Sequence, residues 1–204
     1  MNCRGVKTRI NIVEKYIVKP VTRIKMLTGE LKRSDAEANL TDEYYIFECI
    51  LKSDKNIVKT ILCGSGAAEH FLSLTGEEMP IQFDPLKAES STRVSGIGKS
   101  GTDKPGEWNE ETKQLYNAIH WLIIYWDIVP QGALIEIKRN LEKYYYKRPF
   151  IAQIKSVNTI ISRDKTGKTL TQMIDKFKGN NELKDFDFSL LKERLKSENI
   201  QPYF

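Results

Sequence analysis

The sequence is poor in the residues from which metal sites and disulfide scaffolds are built. It has three cysteines, Cys3, Cys49 and Cys63, no C-x-x-C pair, and only two histidines, His70 and His120. These are too few and too scattered for a disulfide framework, and they supply no four-ligand zinc set. Reduced thiols are expected. Long hydrophobic runs are missing as well. The longest apolar stretch, Ala118 to Trp126, includes His120 and falls far short of a bilayer span, and residues 1–16 lack the continuous apolar core of a signal peptide. The expectation is a cytoplasmic protein with no membrane partner. Nor is there an extreme of charge: 32 basic against 27 acidic residues leave a net charge of +5, which admits a polyanionic partner without demanding one. No internal repeat is present.

What is present suffices for a core: 40% apolar and 10% aromatic residues in a chain of 204. Between Val6 and Leu31 the residues Ile10, Val13 and Ile17 fit one helical face, whereas Ile10, Ile12 and the VTRIKM phrase alternate like strands. With Pro20 expected to break any continuous element, the segment reads as two strands around that proline. Lys32 to Asp42 is turn-rich and reads as a loop. Glu43–Leu51 and Ile57–Cys63 then form a hairpin across the SDKN turn. Ala67, Phe71 and Leu74 after the Gly64–Gly66 turn mark a short helix closed by Gly76.

The phrases FECIL and ILCGSGAAEHFLSLTG, residues 47 to 76, resemble small treble-clef zinc modules, in which a cysteine-bearing strand precedes a glycine turn and a short helix. Cys49 matches one ligand position. Lys52 stands where the paired cysteine belongs and Ala67 where the helix cysteine does, so the resemblance implies a module that has lost its zinc and packs apolar side chains instead.

Residues 88–106 are rich in Gly, Ser, Thr and Lys with almost no apolar content, and read as a flexible linker or long loop. Gly98-Lys99-Ser100 within them ends like a phosphate-binding loop, but Arg93 occupies the place of its first glycine. The Gly64–Glu69 phrase likewise follows a strand and opens a helix, with Glu69 in place of the third glycine of a dinucleotide fingerprint. It is a tight turn, at best a weak anion site.

The block from Trp108 to Phe150 holds all three tryptophans. Read as helices, it has Leu115, Ile119, Leu122, Ile123 and Trp126 on one face after an Asn109 cap, then Leu134, Ile137, Leu141 and Tyr144 on a second helix with Pro130 in its first turn. Read as a hairpin, YWDIVPQGALIEIKRN resembles the PD-(D/E)xK nuclease core. That resemblance implies Asp127 and Glu136 as magnesium ligands and Lys138 as the residue orienting the nucleophile. In a helix Glu136 and Lys138 would lie about 200° apart and share no site. The helix pair is the better match to length and capping. Further helices are expected at Ile151–Ser162, at Leu170–Phe177 after a Thr169 cap, and around Leu190, Leu191 and Leu195, with Asp187 or Ser189 as cap. His70 and His120 sit in apolar helical runs and read as packed, hydrogen-bonded side chains.

The fold expected is α+β: a strand-rich region with one short helix over 1–87, a linker over 88–107 and a mainly helical region over 108–204. Three functional classes follow. The first is a non-enzymatic binding or adaptor protein contacting nucleic acid through the basic segment 7–33 and through Lys138, Arg139, Lys143, Tyr144, Tyr145, Lys147 and Arg148, where cations alternate with aromatic rings that can stack on bases. The second is the nuclease, using Asp127, Glu136 and Lys138, the only reading that calls for a cofactor, Mg2+. The third is a protein-interaction or oligomeric assembly component.

Overall fold

The computed structural model describes residues 1–87 and 107–204, so the expected linker and its phosphate-loop-like phrase fall, but for Glu107, outside the described residues. The chain forms two compact units, Met1–Leu86 and Lys87–Phe204. It is α+β: a strand-rich unit followed by a helical one.

The first unit opens with helix α1, Val6–Lys15, and runs directly into strand β1, Tyr16–Lys25. Both departures from two strands around Pro20 have physical causes. Gly5, at φ 84, turns the chain into α1 without a side-chain cap, and tertiary packing of Ile12 and Val13 stabilises the helix where alternation argues for a strand. Pro20 stays inside β1, because the pairing with strand β4, Glu43–Leu51, shifts register between Pro20 and Thr22. A bulge there accommodates the missing N–H. Between these strands, the expected loop contains a small antiparallel pair, β2 at Lys32–Arg33 and β3 at Asn39–Leu40. Its turn is closed by Ser34, whose Oγ accepts from Ala38 N at 3.0 Å, and by Glu37 at φ 65.

Strand β5, Val58–Cys63, pairs antiparallel with β4 as expected, and helix α2 follows over Ser65–Thr75 with Gly76 at φ 70 as its left-handed C-cap. A short strand β6, Gln82–Phe83, joins β1 in parallel and completes the sheet order β5-β4-β1-β6. One sheet face presents Val18, Tyr45, Phe47, Cys49, Ile61 and Cys63, and Ile12, Ala68, Phe71 and Cys3 complete that core. The rings of Phe47 and Phe71 lie 5.4 Å apart. Cys49 is thus a buried member of an apolar core, and Lys52 donates to Val13 O at 2.9 Å.

The second unit is built around helix α3, Glu110–Trp126, flanked by α4 at Ala133–Lys143, α5 at Ile151–Ser162, α6 at Leu170–Lys178 and α7 at Ser189–Ser197. Asn109 caps α3 by accepting from Thr112 N at 3.2 Å, and Leu115, Ala118, Ile119, Trp121 and Leu122 are fully buried along it. Helix α4 begins later than expected. Gly132, at φ 55, and not Pro130, turns the chain into it. Thr169 caps α6, and Asp187 accepts from Ser189 N at 2.9 Å at the start of α7. Buried Asn158 on α5 donates to Gln201 O and accepts from Tyr203 N, holding the last residues against the helices. No helix among the described residues is long and apolar enough to cross a membrane.

Candidate nucleic-acid interface

The turn from Lys143 to Phe150 joins α4 to α5, and hydrogen bonds to the rest of the second unit hold it in place. Asn109 N donates to Tyr145 O at 3.0 Å, and Thr112 Oγ1 donates to Lys147 O. Glu111, buried to 3% exposure, pairs with both Arg148 and Arg194, the latter at 2.9 Å. Arg194 donates as well to Pro149 O at 2.8 Å. Trp108 packs against Tyr145 at 5.6 Å between ring centroids. Backbone and carboxylate therefore fix the turn, and its remaining side chains project from a rigid base.

Those side chains interleave cations and rings. Lys143 and Lys147 place their ammonium groups 5.3 and 5.2 Å from the Tyr144 ring, and Lys147 lies 5.6 Å from the Tyr146 ring. Such distances are within reach of the cation–π attraction. Tyr146 is 56% exposed and Phe150 72% exposed. Beside them is a groove of about 280 Å³ whose wall includes Asn140, Tyr144, Lys147, Arg148, Phe150 and Gln153. A wider cleft shares Arg148 and includes Tyr146, but it is also lined by Glu107, Glu110 and Glu111, whose field opposes a phosphate.

Of the residues expected at a nucleic-acid surface, Lys143, Tyr144, Lys147 and Arg148 are gathered here, while Tyr145 turns partly inward. Arg139 lies on α4 and pairs with Glu136 at 3.3 Å. Lys138 belongs to the interior. It is 1% exposed, its ammonium lies 2.5 Å from Glu142 and 5.5 Å from the Tyr116 ring, and Tyr116 Oη donates to Glu142 at 3.3 Å. Burial pulls the Lys138 pKa down, against the pull of Glu142. His120, fully buried, packs against Tyr116 with the rings tilted by 53° and their centroids 4.2 Å apart. Its Nδ1 must donate to Tyr116 O at 2.9 Å, since a carbonyl only accepts. Burial, reinforced by the Lys138 charge, holds the imidazole well below its ordinary pKa. Sequence reasoning missed this polar cluster, although Lys138 lies within the apolar stripe of Leu134, Ile137 and Leu141, four residues before Glu142.

The structure does not bring the nuclease residues together. Asp127 is the left-handed C-cap of α3 at φ 51, Glu136 is exposed on the first turn of α4, and Lys138 points into the core on another face. The hairpin that would have joined them is a helix pair. In the first unit, the segment 7–33 is divided among α1, β1 and β2, with Arg23 held by Glu43 at 2.7 Å and Lys25 paired with Asp42. The Gly64–Gly66 turn opens onto a cleft that also contains Asp42 and Glu43, acidic neighbours for any anion. His70 accepts from Arg9 at 2.8 Å, a packed and bonded histidine like His120.

A family profile described as uncharacterised conserved protein UCP028583 matches residues 1–203, and the chain belongs to that family. No curated protein matches the chain, and no solved structure does.

Proposed function

We propose that the chain is a non-enzymatic nucleic-acid-binding protein of a reducing, cytoplasmic compartment, and that it contacts its partner through the turn 143–150. The observation that supports this is the stacking of Lys143 and Lys147 around Tyr144 beside exposed Tyr146, Arg148 and Phe150 on a turn fixed by Glu111 and Thr112. Cations that neutralise phosphate, interleaved with rings that stack on bases, are the two elements of sequence-tolerant binding.

The test is fluorescence anisotropy with labelled DNA and RNA at two salt concentrations, using the full chain. Binding should weaken with salt, and Lys143→Ala with Lys147→Ala should flatten the slope of log K against log salt by roughly 0.7 for each phosphate of a single strand that is no longer neutralised. Absence of binding at low salt would overturn the reading and favour a protein partner.

A further inference from the structure

We infer that the groove beside Tyr144 and Phe150 holds one unpaired pyrimidine base bearing carbonyl oxygens, uracil or thymine, from a single strand. This rests on the nucleic-acid reading above and adds strandedness and base preference to it. The chemistry begins with a backbone amide. Phe150 N donates to the Gln153 side chain at 2.9 Å, so the atom receiving it is the amide oxygen, Oε1. Gln153 Nε2 then points to Asn140 and donates to Oδ1 at 2.9 Å, which fixes the orientation of the second amide in turn. Each oxygen already accepts one bond. What the pair chiefly leaves for a ligand are N–H groups: both hydrogens of Asn140 Nδ2 and the second hydrogen of Gln153 Nε2, with no protein acceptor among the described residues. Lys147 and Arg148, which also line the groove, can only donate, and the Tyr144 hydroxyl can donate or accept.

A pocket lined by donors, with apolar walls from Leu141, Pro149 and Phe150, suits a flat ring whose edge accepts. Uracil and thymine present two carbonyl oxygens flanking one N–H, which a remaining amide lone pair or the Tyr144 hydroxyl can accept; adenine's pairing edge presents an amino group and a single ring acceptor, a poorer match to three N–H groups. At about 280 Å³ the groove lies just below the ~300–1,000 Å³ of pockets for drug-sized ligands, a size that suits a single base. Tyr144 and exposed Phe150 offer faces for stacking, and Lys147 and Arg148 meet the adjoining phosphates. A paired base keeps its edge inside the duplex, so only a single strand can enter.

The experiment measures the full chain by anisotropy at low salt against oligo(dT), oligo(dA) and the duplex they form, each of about a dozen nucleotides. Single-stranded dT should bind more tightly than dA by on the order of fivefold, the worth of one or two net hydrogen bonds, and more tightly than the duplex. Asn140→Asp keeps the acceptor for Gln153 but replaces the free N–H groups by an acceptor. It should abolish or invert the dT-to-dA ratio, and the ratio cancels the general effect of the added charge. Thermal unfolding by circular dichroism verifies that the variant is folded. Equal affinity for dT and dA, equal affinity for duplex, or an unchanged ratio in folded Asn140→Asp overturns the inference and leaves the nucleic-acid reading intact. No binding to any of the probes overturns the reading and the inference with it.

Discussion

Replacing Lys138 by methionine should leave the protein as stable or make it more so, whereas replacing Glu142 by glutamine should weaken it. Lys138 is 1% exposed and its ammonium has Glu142 at 2.5 Å, but Glu142 is 32% exposed and keeps part of its hydration. The lysine therefore bears most of the desolvation penalty. Methionine fills similar volume without a charge, and exchanges of buried pairs for apolar groups are often neutral or stabilising by about 1–4 kcal/mol. Glu142→Gln instead leaves a buried ammonium without its counter-charge. The destabilisation should be about 2–4 kcal/mol, and it is capped near 5 kcal/mol at pH 7, because the lysine can shed its proton at about 1.4 kcal/mol per pKa unit. The double variant should behave like Lys138→Met alone. Urea unfolding at pH 7, with an unchanged slope, reads all three. The sign of the pH dependence follows from the lowered folded pKa of Lys138. Between that value and the ordinary lysine value near 10.4 the unfolded chain binds more protons, so stability rises with pH through this window, and Lys138→Met should flatten the rise. A destabilisation of ~3 kcal/mol or more in Lys138→Met, or none in Glu142→Gln, refutes this reading of the pair.

His120 has a lowered folded pKa through burial and the Lys138 charge. Below its ordinary value of about 6.5 the unfolded chain takes up the proton first, so stability should fall by up to about 1.4 kcal/mol per pH unit on acidification; His120→Gln should remove that component, read as the difference in slope between the two proteins over pH 7 to 5. The thiols should be silent in the native state. Burial raises all three, Cys49 to about 12, and each is buried, so a thiol-specific disulfide reagent should react with none at neutral pH and with all after unfolding in denaturant. Rapid stoichiometric labelling of the folded chain would contradict the core around Cys3, Cys49 and Cys63.

The helical unit is the more legible part of the sequence, for reasons that differ from element to element. Asn109 and Thr169 are side-chain caps and Gly76, in the first unit, a left-handed stop, so local chemistry marks three helix ends. Helix α1 carries no such mark: its N-cap is Gly5, no acidic residue lies in its first turn, and the face that packs, around Ile12 and Val13, is not the Ile10–Val13–Ile17 row that spacing suggests. Helix and strand meet at Tyr16 without a loop, so the periodicities overlap in sequence. The turn at Glu37 adopts positive φ without glycine, leaving nothing to read. At the candidate interface, the alternation of Lys143, Tyr144, Lys147 and Arg148 is visible in the sequence. The groove beside them is not, because it depends on Gln153, oriented by Phe150 N, meeting Asn140 across thirteen residues.

Pro20 has a consequence for how this chain meets other copies of itself. β6 pairs with β1 only at Arg23 and Ile24, so among the described residues the long strand has no β6 partner over Tyr16–Val21 on that side. A row of open backbone groups invites an extended chain to add itself as another strand. Here the strand is irregular between Pro20 and Thr22 and carries Lys19 beside the proline, features that blunt a strand edge. The residue that makes the sequence look interrupted should thus guard this edge: Pro20→Val should make the strand more regular and its edge more open to pairing between molecules, read as increased light scattering on concentration.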